Sequence, residues 1–126
     1  MNILTLSIKQ NYFDEIKAGK KKKETREIRA NNSERYIYYK KGKMTWKKYI
    51  DVPREIMPDV EPVKYDAIKF LTGAYTGTRP SMLVEVKGEQ IVLVTDEHDN
   101  PITYTYEGEE YAMAEIVYKL GKILEV

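Results

Sequence analysis

Apolar side chains recur at every second position in several short runs of this chain, and a period of two is that of a strand with one buried face. Between Ile3 and Lys9, Leu4, Leu6 and Ile8 fall on one side and Thr5, Ser7 and Lys9 on the other. The same alternation marks Tyr65 to Leu71, where Ile68 and Phe70 share a face, and Ser81 to Lys87, where Met82, Val84 and Val86 do. Further strands are expected at Glu34 to Tyr39, Ile91 to Thr95, Ile102 to Tyr106, Glu115 to Leu120 and Ile123 to Val126. Turn signals separate them: Lys41-Gly42-Lys43, the run DEHDNP from Asp96 to Pro101, and Gly121. Gly73 to Pro80 is a loop by composition, and residues 44–64, with Pro53, Pro58 and Pro62, predict an irregular excursion over the surface. One helix stands out. Asn11 is a capping residue, Tyr12, Phe13 and Ile16 form an apolar stripe, and Gly19 suits the left-handed position just past the end. The expected fold is α+β: a curled sheet or small barrel of about five to seven mostly antiparallel strands, with the first strand central and one or two short helices.

A chain of 126 residues is the size of one domain, and a core of that size needs no staple. With no cysteine there is no disulfide, thiolate nucleophile or zinc ribbon, and the lone His98, in a turn, cannot hold a metal by itself. No GxGxxG, Walker A, G-x-S-x-G or H-E-x-x-H pattern occurs, so neither a cofactor nor a metal is expected. The opening MNILTLSIKQ lacks a basic and then apolar leader pattern, and no apolar run reaches membrane-spanning length; a cytoplasmic protein with no membrane partner is expected. The net charge of +1 conceals a gradient. Residues 1–50 hold 14 Lys+Arg against 5 Asp+Glu, a balance of +9, and residues 51–126 hold 7 against 15, a balance of −8. Such asymmetry points to a polyanion as partner; the alternative is that the halves interleave and their charges neutralise on a mixed surface.

Lys22 to Ile28 reads as a strand with no apolar face, since Lys22, Glu24, Arg26 and Ile28 alternate with Lys23, Thr25, Glu27 and Arg29. Broken patterning of this kind marks a functional or strained segment. It belongs to Gly19-Lys20-Lys21-Lys22-Lys23-Glu24-Thr25-Arg26, which fits G-x-K-x-x-E-x-R. With LTLSIKQNYFDEIKAGKKKKETRE as strand, helix and motif, followed by YDAIKF, LVEVKG and VYKLGKILEV, the chain resembles an ASCH domain, a branch of the PUA-like superfamily. The resemblance covers most of the chain and leaves residues 40–62 and 96–110 as local elaborations of a single domain, 1–126.

What the resemblance implies is a small PUA-like pseudo-barrel with a helix beside it and a cleft lined by the motif, acting on RNA as a binding module or, in some members, as an enzyme. Carried over by position, Gly19 ends the helix while Lys21, Glu24 and Arg26 line the cleft. Glu24 and Arg26 lie two apart on a strand and share a face, and a compact ammonium beside a planar donor fork suits a phosphate or the polar edge of a base. Lys23, in the same lysine run, and Arg79, in the GTRP loop, are further candidate contacts. Tyr36, Tyr38, Tyr39, Trp46 and Tyr49, interleaved with Lys40, Lys41, Lys43, Lys47 and Lys48, offer rings on which bases stack. The leading expectation is therefore an RNA- or nucleotide-binding module. The second is a small hydrolase of modified nucleosides or RNA, of amidohydrolase or ribonuclease type, with Lys21 and Glu24 as catalytic residues. ASCH-like acyl-removing enzymes resemble one another in a threonine three residues after the motif lysine; here Glu24 stands there, with Thr25 beside it. The third is a protein-interaction module using the acidic second half. An architectural alternative also stands, in which Glu24 and Arg26 are a partly buried ion pair and Lys20 to Lys23 are solvated charge.

Overall fold

A computed structural model describes residues 1–73 and 79–126, so the expected Gly73 to Pro80 loop lies largely outside the described residues. In chain order the elements are β1 (Ile3–Ser7), α1 (Gln10–Lys17), β2 (Lys23–Ile28), β3 (Ile37–Lys41), β4 (Met44–Trp46), β5 (Asp59–Pro62), β6 (Ala67–Leu71), β7 (Ser81–Leu93), β8 (Thr103–Tyr106), β9 (Glu109–Ala112) and β10 (Ala114–Glu125), with 3-10 turns at Ser33–Arg35 and Tyr49–Asp51. The class is α+β, mostly strands with one α-helix among the described residues. These elements fall into two compact units: Met1–Glu24, Lys64–Glu89 and Val117–Val126 form the first, Thr25–Val63 and Gln90–Ile116 the second.

A five-stranded sheet has the order β1-β6-β7-β10-β2, and its strands β1 and β6 lie wholly in the first unit. β1 runs parallel to β6, with Leu4 opposite Ile68 and Leu6 opposite Phe70. β6 runs antiparallel to β7, with Ile68 opposite Val84 and Phe70 opposite Met82. The alternation read from the sequence is the burial pattern observed: Leu4, Leu6, Ile68, Phe70, Met82 and Val84 are all buried. The first strand is not central, however. It stands at the end of the sheet order, and its parallel pairing with β6 is reached through the long stretch of chain between them, the crossover that parallel neighbours require.

α1 packs Phe13 and Ile16, one turn apart, into the core and leaves Tyr12 at 42% exposure, so Tyr12 is not part of the buried stripe. The helix begins two residues earlier than a cap at Asn11 would set it. Lys9 holds the cap position without a side-chain bond, and the Gln10 amide donates to Asp14 across the first turn at 3.0 Å. Its end is the expected one: Gly19 takes φ +76°, its N–H reaching Ile16 O at 3.0 Å while Lys20 N and Lys21 N reach Glu15 O at 2.9 and 3.1 Å. β7 runs unbroken through Gly88 and β10 through Gly121, so Gly121 is not a turn. It is a close approach. A Cβ at Gly121 would collide with the Glu85 carboxylate and come within 2.8 Å of Lys87 Cγ.

In the second unit, β4-β3-β5 form a three-stranded antiparallel sheet. Lys41 pairs with Met44 across Gly42 at φ +60°, the expected turn, and β5 returns to pair Tyr39 with Val60 and Ile37 with Pro62. Residues 44–64 are thus not irregular throughout: Pro62 ends an edge strand, where a missing N–H is tolerated, and Val63 N then donates to Tyr36 O at 2.8 Å. In the Asp96 turn the carboxylate Oδ1 accepts from His98 N at 2.8 Å and Asn100 N at 3.0 Å. Across this turn Thr95 bridges Pro101 and Ile102 N donates to Val94 O at 3.0 Å, as the expected hairpin requires, and β8 beyond it pairs forward. β8 and β9 close a hairpin over Glu107 and Gly108, whose φ values of +49° and +81° suit a two-residue turn matched to strand twist. Ile28, Tyr36, Ile37, Val52 and Ile116 are this unit's buried apolar residues. With these additions the described residues hold ten strands, more than the five to seven expected.

Candidate functional site

The G-x-K-x-x-E-x-R motif spans the turn from α1 into β2. Along β2 the charged residues divide by face: Glu24 and Ile28 are buried and Arg26 half-buried, while Lys23, Thr25 and Glu27 are exposed. The inward side of this strand carries charge, which is why no apolar face is visible in its sequence. A carboxylate at 7% exposure requires partners. Lys21 is one, its Nζ 3.8 Å from Glu24 Oε1 and 5.4 Å from the centre of the Tyr12 ring. Ring and carboxylate together aim the Lys21 ammonium.

An open cavity of about 400 Å³ in the first unit is lined by Lys21 and Lys22 from the motif turn, Lys87 from β7 and Lys122 from β10. Among the described residues Glu85 is the one carboxylate that lines it, and its Oε1 accepts from the backbone N of Lys122 at 3.3 Å. Gly19 and Gly121 line the same cavity and leave it open where a side chain would intrude. Four lysines and one glutamate among its lining give the cavity a positive balance, which favours an anion. The unit around it carries 12 Lys+Arg against 7 Asp+Glu, a balance of +5.

Of the residues singled out from sequence, Lys21 and Gly19 line this cavity. Lys23 is exposed and Glu24 is buried behind Lys21, so neither lines it. Arg26 lies on the β2 segment that belongs to the second unit. Arg79 is drawn elsewhere in the first unit: its Nε donates to Thr72 O at 3.4 Å and its Nη2 to Ser7 Oγ at 3.2 Å. Lys87 and Lys122 were not anticipated. Lys87 ends the strand expected over Ser81 to Lys87 and Lys122 follows Gly121, expected as a turn, whereas both lie inside long strands that bring them together.

The second unit places tyrosines together. Tyr104 and Tyr111 stack with centroids 5.6 Å apart at 22°, Tyr49 meets Tyr111 edge-on at 6.0 Å, and Tyr39 meets Tyr49 at 5.6 Å. All four line an open cavity of about 790 Å³. Tyr104 Oη accepts from Ala30 N at 3.0 Å, and the Arg29 guanidinium lies 5.1 Å from the Tyr104 ring centre. Burial, and then the neighbouring phenols of Tyr111, Tyr104 and Tyr49, push the Tyr39 hydroxyl above its ordinary range. Tyr36, by contrast, is core, and Tyr104 and Tyr111 had not been grouped with Tyr39 and Tyr49 because β3 and the β8–β9 hairpin are remote in sequence.

Among the described residues no three His, Asp or Glu side chains are grouped to hold a metal ion, and no helix is long and apolar enough to cross a membrane. No family model, curated protein or solved structure matches the chain.

Proposed function

We propose that this chain is an RNA- or nucleotide-binding domain of the ASCH type, with the PUA-like pseudo-barrel as its architecture, and that a phosphate group occupies the lysine cavity of the first unit. One observation carries the reading: Lys21, Lys22, Lys87 and Lys122, from three separate segments, line one cavity. Gathering four like charges costs free energy in the empty protein, and a bound phosphate offsets it. Lysine suits the task as a compact charge that accepts many phosphate geometries. Tyr12 and Glu24 hold Lys21 in place, so part of the ordering cost of binding is met in advance.

The test is fluorescence anisotropy with a labelled single-stranded RNA across a range of salt. Lys21→Ala, Lys87→Ala and Lys122→Ala should each weaken binding and lower the salt slope by about one. Thermal unfolding is the control. Variants that bind with wild-type affinity and salt dependence would end this reading. The hydrolase alternative draws on the Lys21–Glu24 pair, 3.8 Å apart; Lys21 lines the cavity and Glu24 does not, so Glu24 would act on a substrate there through Lys21. Thr25, exposed while Glu24 is buried, does not join them. Glu24→Gln that stays folded and binds, yet loses turnover of a modified nucleoside, would favour that alternative.

A further inference from the structure

The tyrosine cavity of the second unit differs in charge from the lysine cavity of the first. Five charged side chains line it: Arg29 and Lys48 against Glu34, Glu107 and Glu110. Both cations are already engaged, Arg29 with Glu27 at 2.7 Å and Lys48 with Glu34 at 3.5 Å. Glu107 and Glu110 remain facing the tyrosines. The surrounding unit holds 9 Lys+Arg against 13 Asp+Glu, a balance of −4. A phosphate-bearing ligand is disfavoured here by the same charge that would attract it to the lysines.

We infer that the cavity formed by Tyr39, Tyr49, Tyr104 and Tyr111, with Glu107 and Glu110 at its wall, binds a small organic cation bearing a methylated ammonium group. The face of a phenol ring carries negative potential, and several rings around one space attract a diffuse cation whose methyl groups pay little for leaving water. The Arg29 guanidinium already lies over Tyr104, so the ring surface open to a ligand is chiefly that of Tyr49, 49% exposed, with Tyr39 and Tyr111 against it. The rings do not form a slot for a base: Tyr104 and Tyr111 stack on each other at 5.6 Å and leave no space between them. Ile28, Ile37 and Val60 close the apolar side of the cavity, which suits methyl groups. The Tyr111 hydroxyl is held above its ordinary range by burial and then by the Glu109 carboxylate, with Tyr104, Tyr49 and Glu107 adding to it, as expected where the local potential is negative. This site is independent of the phosphate site.

The experiment is a titration of the whole chain with choline, with 3,3-dimethylbutan-1-ol, which has the same shape without the charge, and with cytidine monophosphate, followed by the NMR shifts of the tyrosine ring protons. Choline should bind about tenfold more tightly than the neutral alcohol, and the nucleotide should not displace it. Tyr49→Ala should weaken choline binding by about tenfold, and Tyr49→Phe should retain it. Tyr49 is 49% exposed, which favours a folded variant; should it unfold, the Glu107→Gln and Glu110→Gln double variant, on an exposed hairpin, should weaken choline several-fold and leave the alcohol unchanged. Lys21→Ala should bind choline as the wild type does, so that failure of one site is not mistaken for failure of the other. Equal binding of choline and the alcohol would reduce the cavity to an apolar one and overturn the inference. Displacement by the nucleotide would overturn it in favour of a base site, and absence of ring-proton shifts with saturating choline would overturn it outright.

Discussion

Glu24 is the residue on which the motif's physical reading turns. A carboxylate held at 7% exposure is stable only while its hydrogen-bonding and charge partners remain, whereas Lys21, at 24% side-chain exposure, keeps access to water. The two should therefore respond unequally to removal. Glu24→Ala should destabilise the fold by about 1–3 kcal/mol in urea unfolding, because the groups around the carboxylate lose a buried acceptor. Lys21→Ala should cost no more than about 1 kcal/mol, since a pair at the outer limit of ion-pair distance contributes little. Equal losses would mean that Lys21 is as structural as Glu24. The second unit's tyrosines make a separate prediction. A phenol whose folded pKa lies above the ordinary 10.0 keeps its proton longer in the folded than in the unfolded chain. Its contribution to stability is complete below the ordinary value and is lost as pH rises through the raised one. Ultraviolet difference titration should show a fraction of the phenols ionising late and returning to the ordinary range in urea; a single ordinary titration would contradict it.

Among the elements, α1 and the neighbouring strands β7 and β10 have distinct roles. An eight-residue helix is marginal alone, and α1 persists because Phe13 and Ile16 are buried. Phe13→Ala should cost about 3–5 kcal/mol, measured as a fall in the urea midpoint, while Tyr12→Ala, at an exposed position, should cost far less. Gly121 tests the strands. Its hydrogen is what allows the Glu85 and Lys87 side chains to cross β10 closely. Gly121→Ala should displace both flexible side chains, lower RNA affinity through Lys87, and change the circular dichroism little. In the Asp96 turn, hydrogen bonds from Asn100 and then His98 hold the carboxyl below its ordinary range. Stability from that bond is therefore present above the ordinary carboxylate pKa and lost as acid protonates the folded form, a local fraying visible by hydrogen exchange.

For the whole molecule, the two compact units carry opposite charge, +5 and −4, and these nearly cancel in the net +1. Two ligands of opposite charge should therefore respond differently to salt. RNA binding should weaken steeply between low and physiological salt because phosphate contacts release counterions. Choline binding, resting largely on ring faces, should change far less over the same range. Parallel salt slopes would place both ligands in a single electrostatic site. RNA at about 100-fold its Kd should also raise stability by about 2.7 kcal/mol, a rise that Lys21→Ala reduces if binding is to the folded state alone.

Alternating runs such as Leu4-Leu6-Ile8 and Ile68-Phe70 announced strands because burial of one face is a local property of neighbours along the chain. The end of α1 at Gly19 and the turn at Gly42 were equally local, since a positive φ selects glycine wherever it falls. Pairing was not local. Whether β1 lay at the centre or the edge, and whether Gly121 bent or merely made room, depended on which strand lay alongside, and nothing within either segment records its neighbour. Lys21 was found from a motif written in one stretch of chain; Lys87 and Lys122 were not, because the cavity they share with it exists only after β7 and β10 lie beside one another. The charge gradient along the sequence was real but cut the chain at the wrong place. Folding assigns residues 64–89 and 117–126 to the basic unit and 25–63 to the acidic one, because units are assembled by sheet contacts rather than by order along the chain.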